Sequence, residues 1–141
     1  MIYLIDTNIL SEQRKLRPDN GVVAWLERTD AADLRLSVVT IGEIRRGITR
    51  LQLRRDLVQA DRYERWLDRT LREFQDRIVP VDEPAAQRWG DLDARRPTPV
   101  ADGVIGATAA AHGWTLVTRN TKDFQHIGVP LINPFTDEEV P

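Results

Sequence analysis

Residues 1–10 read MIYLIDTNIL, and this stretch decides the class of fold. Ile2–Ile5 is an unbroken apolar run without polar alternation, the pattern of a strand covered on both faces. It ends at Asp6, with Thr7 and Asn8 directly behind. A carboxylate that closes a buried apolar run is costly unless it is paired, solvated or bound to a cation. The run carries no basic residue ahead of it and meets an acid at position 6, so it does not read as a secretion signal. The chain is therefore expected to stay in the cytoplasm.

A second almost wholly apolar run, WTLVT, lies at Trp114–Thr118. Shorter runs at Leu34–Val39, Ile78–Val81 and Val129–Ile132 also predict strands, and Pro130 predicts an edge position for the last. Helical spacing fills the intervals. Val22, Val23 and Leu26 suit a short helix, and Ile41, Ile44, Ile48 and Leu51 recur at helical intervals. Val58–Phe74 carries Trp66, Leu67, Leu71 and Phe74 among many charges. It reads as an amphipathic helix or part of a dimer surface. Pro84 sits where a helix can begin. The small, apolar ADGVIGATAAAH at 101–112 ends at Gly113. Strands alternating with helices predict an α/β domain with a mainly parallel sheet of about five strands. Sites in such sheets form at the carboxyl ends of strands, near a topological switch point. The 141 residues suit one domain, placed at 1–135, with 136–141 as a mobile tail.

The absence of cysteine excludes disulfides, thiolate chemistry and cysteine-based zinc sites. No apolar run approaches the roughly 20 residues that span a bilayer. A net charge of −2 is not the basic balance usual in nucleic-acid binders. If several acids gather around cations, however, the remaining surface is more basic than the total. Lysine occurs only at Lys15 and Lys122, and the other basic residues are arginines, which grip phosphate bidentately. High-GC coding would leave the same bias.

Four carboxylates fall where a parallel sheet would collect them. Asp6 follows the first strand, and Glu43 lies one turn into the helix after the second. Asp102 opens the alanine-rich helix, and Asp123 follows the fourth strand. Each has a local explanation. Asp6, Asp102 and Asp123 could cap helices or turns, and Thr40-x-x-Glu43 could be a capping box, which taken alone is the better reading of Glu43. Jointly they would meet at one rim and raise one another's pKa. A hard divalent cation such as Mg²⁺ or Mn²⁺ removes that cost. It also supplies the chemistry of phosphodiester hydrolysis.

With these residues in view, the chain resembles the PIN-domain ribonucleases, most closely the VapC and FitB-type toxins of bacterial toxin–antitoxin pairs. The likeness runs through about residues 1–135 and rests on four segments in order: IYLIDTNIL, SVVTIGEIRRGI, PVADGVIGATAAAHGWTLVTRN, and NTKDF with its closing VPLINPF. The resemblance implies a three-layer α/β/α domain and Mg²⁺- or Mn²⁺-dependent endonuclease activity on RNA, tRNA prominent among substrates. It implies Asp6 and Asp102 as main metal ligands, with Glu43 and Asp123 binding directly or through water or orienting the attacking water. Asn8, Thr118 and Asn120 match supporting positions. Some relatives carry an acid where this chain has Asn120, so Asn120 and Asp123 both stand as candidates there. A homodimer held by an antitoxin in a higher oligomer is implied as well.

Arg45, Arg46, Arg50, Arg54 and Arg55 form a basic stretch after Glu43. It suits RNA phosphates, with Arg45 and Arg46 nearest the site, or equally a solvated face paired with Asp56 and Asp61. Trp25, Trp66, Trp89 and Trp114 read as core, and His112 and His126 do not suggest a zinc site. A phosphotransfer domain with a nucleophilic Asp6 is disfavoured, because Asn8 stands where that chemistry wants a second acid. A non-catalytic PIN-like module binding RNA or protein is the alternative. It would be favoured by loss of a carboxylate, and none is lost.

Overall fold

The structure, a computed structural model, describes residues 1–141. Six strands form one sheet in the order β3-β2-β1-β4-β5-β6. They are β1 (Tyr3–Ile5), β2 (Leu34–Ser37), β3 (Ile78–Val79), β4 (Thr115–Val117), β5 (Leu131–Asn133) and β6 (Glu138–Val140). All neighbouring pairs are parallel except β5–β6. The helices are α1 (Thr7–Glu12), α2 (Asn20–Arg28), α3 (Val38–Leu53), α4 (Leu57–Glu73), α5 (Glu83–Arg95), α6 (Val100–His112) and α7 (Thr121–Phe124). No helix is long and apolar enough to cross a membrane.

Successive residues of a strand face opposite sides, and β1 shows the consequence. Ile5 joins a core of Leu10, Trp25, Leu36, Ile48, Trp66 and Phe74 on one face. Leu4 joins Ile105, Ala109, Leu116, Phe124 and Leu131 on the other. Both are fully buried, which is why the run never alternates with polar residues. Helices α1–α4 cover the first face and α6 with α7 the second, so the α/β/α layering and mainly parallel sheet are as expected. β2 lies on one side of β1 and β4 on the other, which puts the switch point between the carboxyl ends of β1 and β4.

Three expectations are corrected. The second strand ends at Ser37 and not at Val39, because the Ser37 hydroxyl accepts from Val39 N–H and starts α3 there. The segment 136–141, read as a mobile tail, contains β6, which pairs antiparallel with β5 through Leu131 and Val140. The sheet thus has six strands, and β5 is not its edge. Pro130 precedes β5, so its missing N–H falls outside the strand, and its carbonyl accepts from Leu116 N–H at 3.0 Å.

Two glycines test how tightly the elements sit. A Cβ on Gly21, in the first turn of α2, would lie 2.2 Å from the Pro134 carbonyl oxygen. A Cβ on Gly90, within α5, would meet nothing within 4 Å. Gly21→Ala should lower the urea midpoint, by about 1–3 kcal/mol in stability, because backbone blocks the methyl. Gly90→Ala should raise it, by up to about 1 kcal/mol, through helix propensity. Equal shifts in one direction would contradict this packing.

Candidate active site at the switch point

Asp6 leaves β1 at the switch point and is only 5% exposed. Its backbone N–H donates to the Val117 carbonyl at 2.9 Å, which anchors it to β4. Asp6 Oδ1 accepts from Thr7 N–H at 2.8 Å, so the residue does cap α1. Oδ2 is engaged differently. It accepts from Thr118 Oγ1 at 2.8 Å and from Asn8 Nδ2 at 3.2 Å. Thr118, fully buried at the end of β4, also accepts from Asn120 N–H at 3.1 Å. Asn8 Oδ1 accepts from Arg119 N–H at 3.2 Å, tying α1 to the loop after β4. Cap and site are therefore one arrangement.

Glu43 is not part of a capping box. Ser37 is the N-cap of α3, and Thr40 is buried inside the helix. Glu43 reaches back to the site, where its Oε1 accepts from Thr7 Oγ1 at 2.8 Å. Thr7 Oγ1 also lies 3.2 Å from Thr40 Oγ1. Asp102 lies in the first turn of α6, whose N-cap, Pro99, makes no side-chain cap bond. Asp123 is exposed on α7, and its backbone N–H donates to the Asn120 carbonyl at 3.0 Å.

The electrostatics link these acids. Burial pushes the Asp6 carboxyl up to about 6. The Thr118 and Thr7 hydrogen bonds pull it down, and the charges of Asp102 and Glu43 push it up again. Asp102 is raised as well, by burial first and then by Glu43 and Asp123. Asp102 thus stands within electrostatic reach of the other three. Asn120 contributes its backbone, and its side chain makes no cap bond. Among further acids, Glu12 is buried but already satisfied, by Lys15 at 2.8 Å and by Asp19 N–H at 2.9 Å.

The donor set suits a hard cation. It consists of carboxylate oxygens that repel one another, with no histidine or sulfur among them. No three of these carboxylates stand close enough to form a single inner shell as they sit. A Mg²⁺ that keeps several waters and takes one or two carboxylates is compatible with that spacing.

The two arginines expected at the site part company. Arg46 lies 3.9 Å from Glu43, at the rim. Arg45 turns to α4 and grips Glu64 with both terminal nitrogens, at 2.7 and 2.9 Å. It therefore serves the α3–α4 contact and is not placed for substrate. Thr7 and Thr40 were not singled out from sequence. A hydroxyl directly after Asp6 was the available signal for Thr7. Thr40 was absorbed by the capping-box pattern.

Comparison with known proteins gives a consistent result. The family model described as PIN domain matches residues 3–130. A VapC ribonuclease, Y4jK, of Sinorhizobium fredii is 35% identical over 140 residues, covering 95% of this chain and 98% of the relative. Toxin FitB of Neisseria gonorrhoeae is 36% identical, covering 96% of this chain and all of the relative. The crystal structure of FitAcB from the same organism superimposes with a TM-score of 0.78 at 34% identity, covering 95% of this chain and 99% of that one. A toxin–antitoxin complex from Klebsiella pneumoniae superimposes at 0.67 with 26% identity, covering 94% and 97%.

The burial of Asp6 has a consequence for stability. As pH rises from about 4 to 6, the unfolded chain releases the Asp6 proton while the folded chain keeps it. Metal-free stability should therefore fall across that window, by up to about 3 kcal/mol, and level off above it. Asp6→Asn in EDTA should lose this component, read as the difference between its urea midpoints and those of the wild type from pH 4 to 7. Parallel profiles for the two proteins would remove the buried-carboxylate account.

Proposed function

The chain belongs to the PIN-domain family, and on that footing we propose that it is a metal-dependent endoribonuclease, the toxin of a toxin–antitoxin pair. The observation that carries this reading is the buried Asp6, held by Thr118 and Asn8 at the switch point with Glu43 and Asp102 in electrostatic reach. The names of two relatives, a ribonuclease and a toxin, support it. So does the likeness to a toxin–antitoxin complex, which makes an antitoxin the expected protein partner.

Asp6 and Asp102 would hold Mg²⁺ or Mn²⁺, with Glu43 and Asp123 completing the shell directly or through water. The chemistry that such an ion would supply there is polarisation of a phosphoryl oxygen, a lower pKa for a bound water and neutralisation of the leaving oxygen. The protein's own part is positional. Thr118 fixes the orientation of the Asp6 carboxylate, leaving Asp6 one committed and one shared edge. Thr7 holds Oε1 of Glu43, which leaves Oε2, 3.9 Å from Arg46, as the oxygen that would take a proton from an attacking water. Arg46 beside Glu43 offers a positive group at the rim for a neighbouring phosphate. RNA, with tRNA as a leading candidate, is the proposed substrate, and a homodimer bound to antitoxin the proposed assembly.

Purified protein incubated with total cellular RNA should produce discrete new ends in Mg²⁺ or Mn²⁺ and none in EDTA. Asp6→Ala and Asp102→Ala should abolish them while leaving the protein folded. Absence of cuts in every metal condition, from folded and antitoxin-free protein, would move the reading to a binding module. Thr118→Ala should keep some activity but need about 10–100-fold more metal for half-maximal cleavage. An unchanged metal requirement would deny Thr118 its orienting role.

A further inference from the structure

A groove lined by arginines runs along α4, away from the carboxylates. Three adjoining cavities form it. The central one, about 460 Å³, is lined by Arg14, Arg62, Arg65 and Arg69 around Tyr63 and Trp66. A second, about 440 Å³, shares Gln59 and Tyr63 with it and adds Arg50 and Arg54. A third, about 220 Å³, shares Arg14, Trp66 and Arg69. Six arginines line the groove against two acids, Asp56 and Glu73.

Little of this charge is neutralised within the chain. Arg65 pairs with Asp61, and Arg54 lies 3.9 Å from Asp56. Arg14, Arg50, Arg62 and Arg69 have no carboxylate within 4.0 Å. The Arg14 guanidinium instead lies 4.5 Å above the Tyr63 ring and 5.6 Å from that of Trp66, so its planar face is spent on the rings and its N–H edges remain available. Arg62, Arg65 and Arg69 stand three and four residues apart on one face of α4. With 17 residues, that helix is about 25 Å long.

The groove also connects to the site. Glu43, Arg46 and Arg50 on α3, and Arg54 at its C-cap, follow one another at intervals of three and four. The track therefore leads from a carboxylate of the site into the groove over about 16 Å of helix. At the other end, α1 begins beside Asp6, and Arg14 lies just past its last residue.

We infer that this groove holds the sugar–phosphate backbone of single-stranded RNA beyond the bond being cut. The inference rests on the ribonuclease reading above. Repeated, unpaired guanidinium groups spaced along a helix match a polymer with one anion per residue better than a ligand with a single charge. The groove gives the chain an extended substrate footprint despite its net charge of −2.

The test is the affinity of a labelled, mixed-sequence 20-nucleotide RNA, read by fluorescence anisotropy in EDTA between 50 and 200 mM KCl. The variant is R62Q/R69Q, which breaks no ion pair, and its urea midpoint should match the wild type. The expected result is a Kd about 10-fold higher, with the slope of log K against log salt reduced by about 1.4, or 0.7 for each lost contact. An unchanged Kd and slope, or no RNA binding by the wild type, overturns the inference. So does unchanged RNA binding with lost binding of a glutamate-rich peptide, which would assign the groove to a protein partner. Metal-dependent cleavage of a hexanucleotide by the wild type is scored separately. Cleavage with an unaltered RNA affinity in the variant fails the groove alone, and loss of affinity without any cleavage fails the nuclease alone.

Discussion

An acid at the end of a buried strand is the constraint around which the rest of the site is arranged. Asp6 cannot retreat to water, because β1 is covered on both faces and its backbone N–H is fixed to Val117. Three groups make its position tolerable, the Thr7 N–H, the Thr118 hydroxyl and the Asn8 amide, and the parallel pairing that brings β4 alongside puts Thr118 there. They do not make it comfortable, since its carboxyl still stays protonated well above the ordinary range. Two further acids within electrostatic reach keep the region short of positive charge. A fold that keeps such an arrangement gives up stability at this one place.

The parts legible from sequence were those set by local periodicity. The unalternating β1 and β4 runs announced a sheet covered on both faces, and the spacing of Ile41, Ile44, Ile48 and Leu51 announced α3. What failed had a non-local cause. The antiparallel pairing of β6 depends on a partner strand that the residues DEEVP do not advertise. Arg45 looked like a phosphate contact because of its place in the chain, yet its Glu64 partner comes from the next helix, 19 residues on. Thr40 and Glu43 fit a capping box perfectly well as a pattern. One turn earlier, Ser37 had already taken the cap, which released Glu43 to the site. That Asp6, Glu43, Asp102 and Asp123 would fall within reach of one another's charge was legible because the topology, once inferred, left few places for the strand ends and the helix starts beside them to go.

The same topology sorts charge across the surface. Over the whole chain 22 acidic side chains nearly cancel 20 basic ones, which is why a net charge of −2 said so little. Their separation is the informative quantity. Arg46 sits at the boundary, 3.9 Å from Glu43 and one helical turn before Arg50.

Helix α6 shows how packing sets this electrostatics. Its sequence is nearly all small residues, and the steric reason is on both sides of it. A Cβ on Gly106 would lie 2.3 Å from the Ile127 side chain, and one on Gly103 would lie 2.8 Å from Thr98 Oγ1 and 3.1 Å from Trp89. Gly103 is the residue after Asp102, so its contact with α5 fixes the first turn of α6 at the position from which Asp102 faces the other acids. Larger residues would push the helix outward and carry the carboxylate with it, because buried packing yields by fractions of an ångström and not by whole ones. The small-residue helix is thus an electrostatic device as much as a packing one: by letting α6 lie close to α5 and to the Phe124–Ile127 segment, it keeps Asp102 within reach of the charges of Glu43, Asp123 and Asp6.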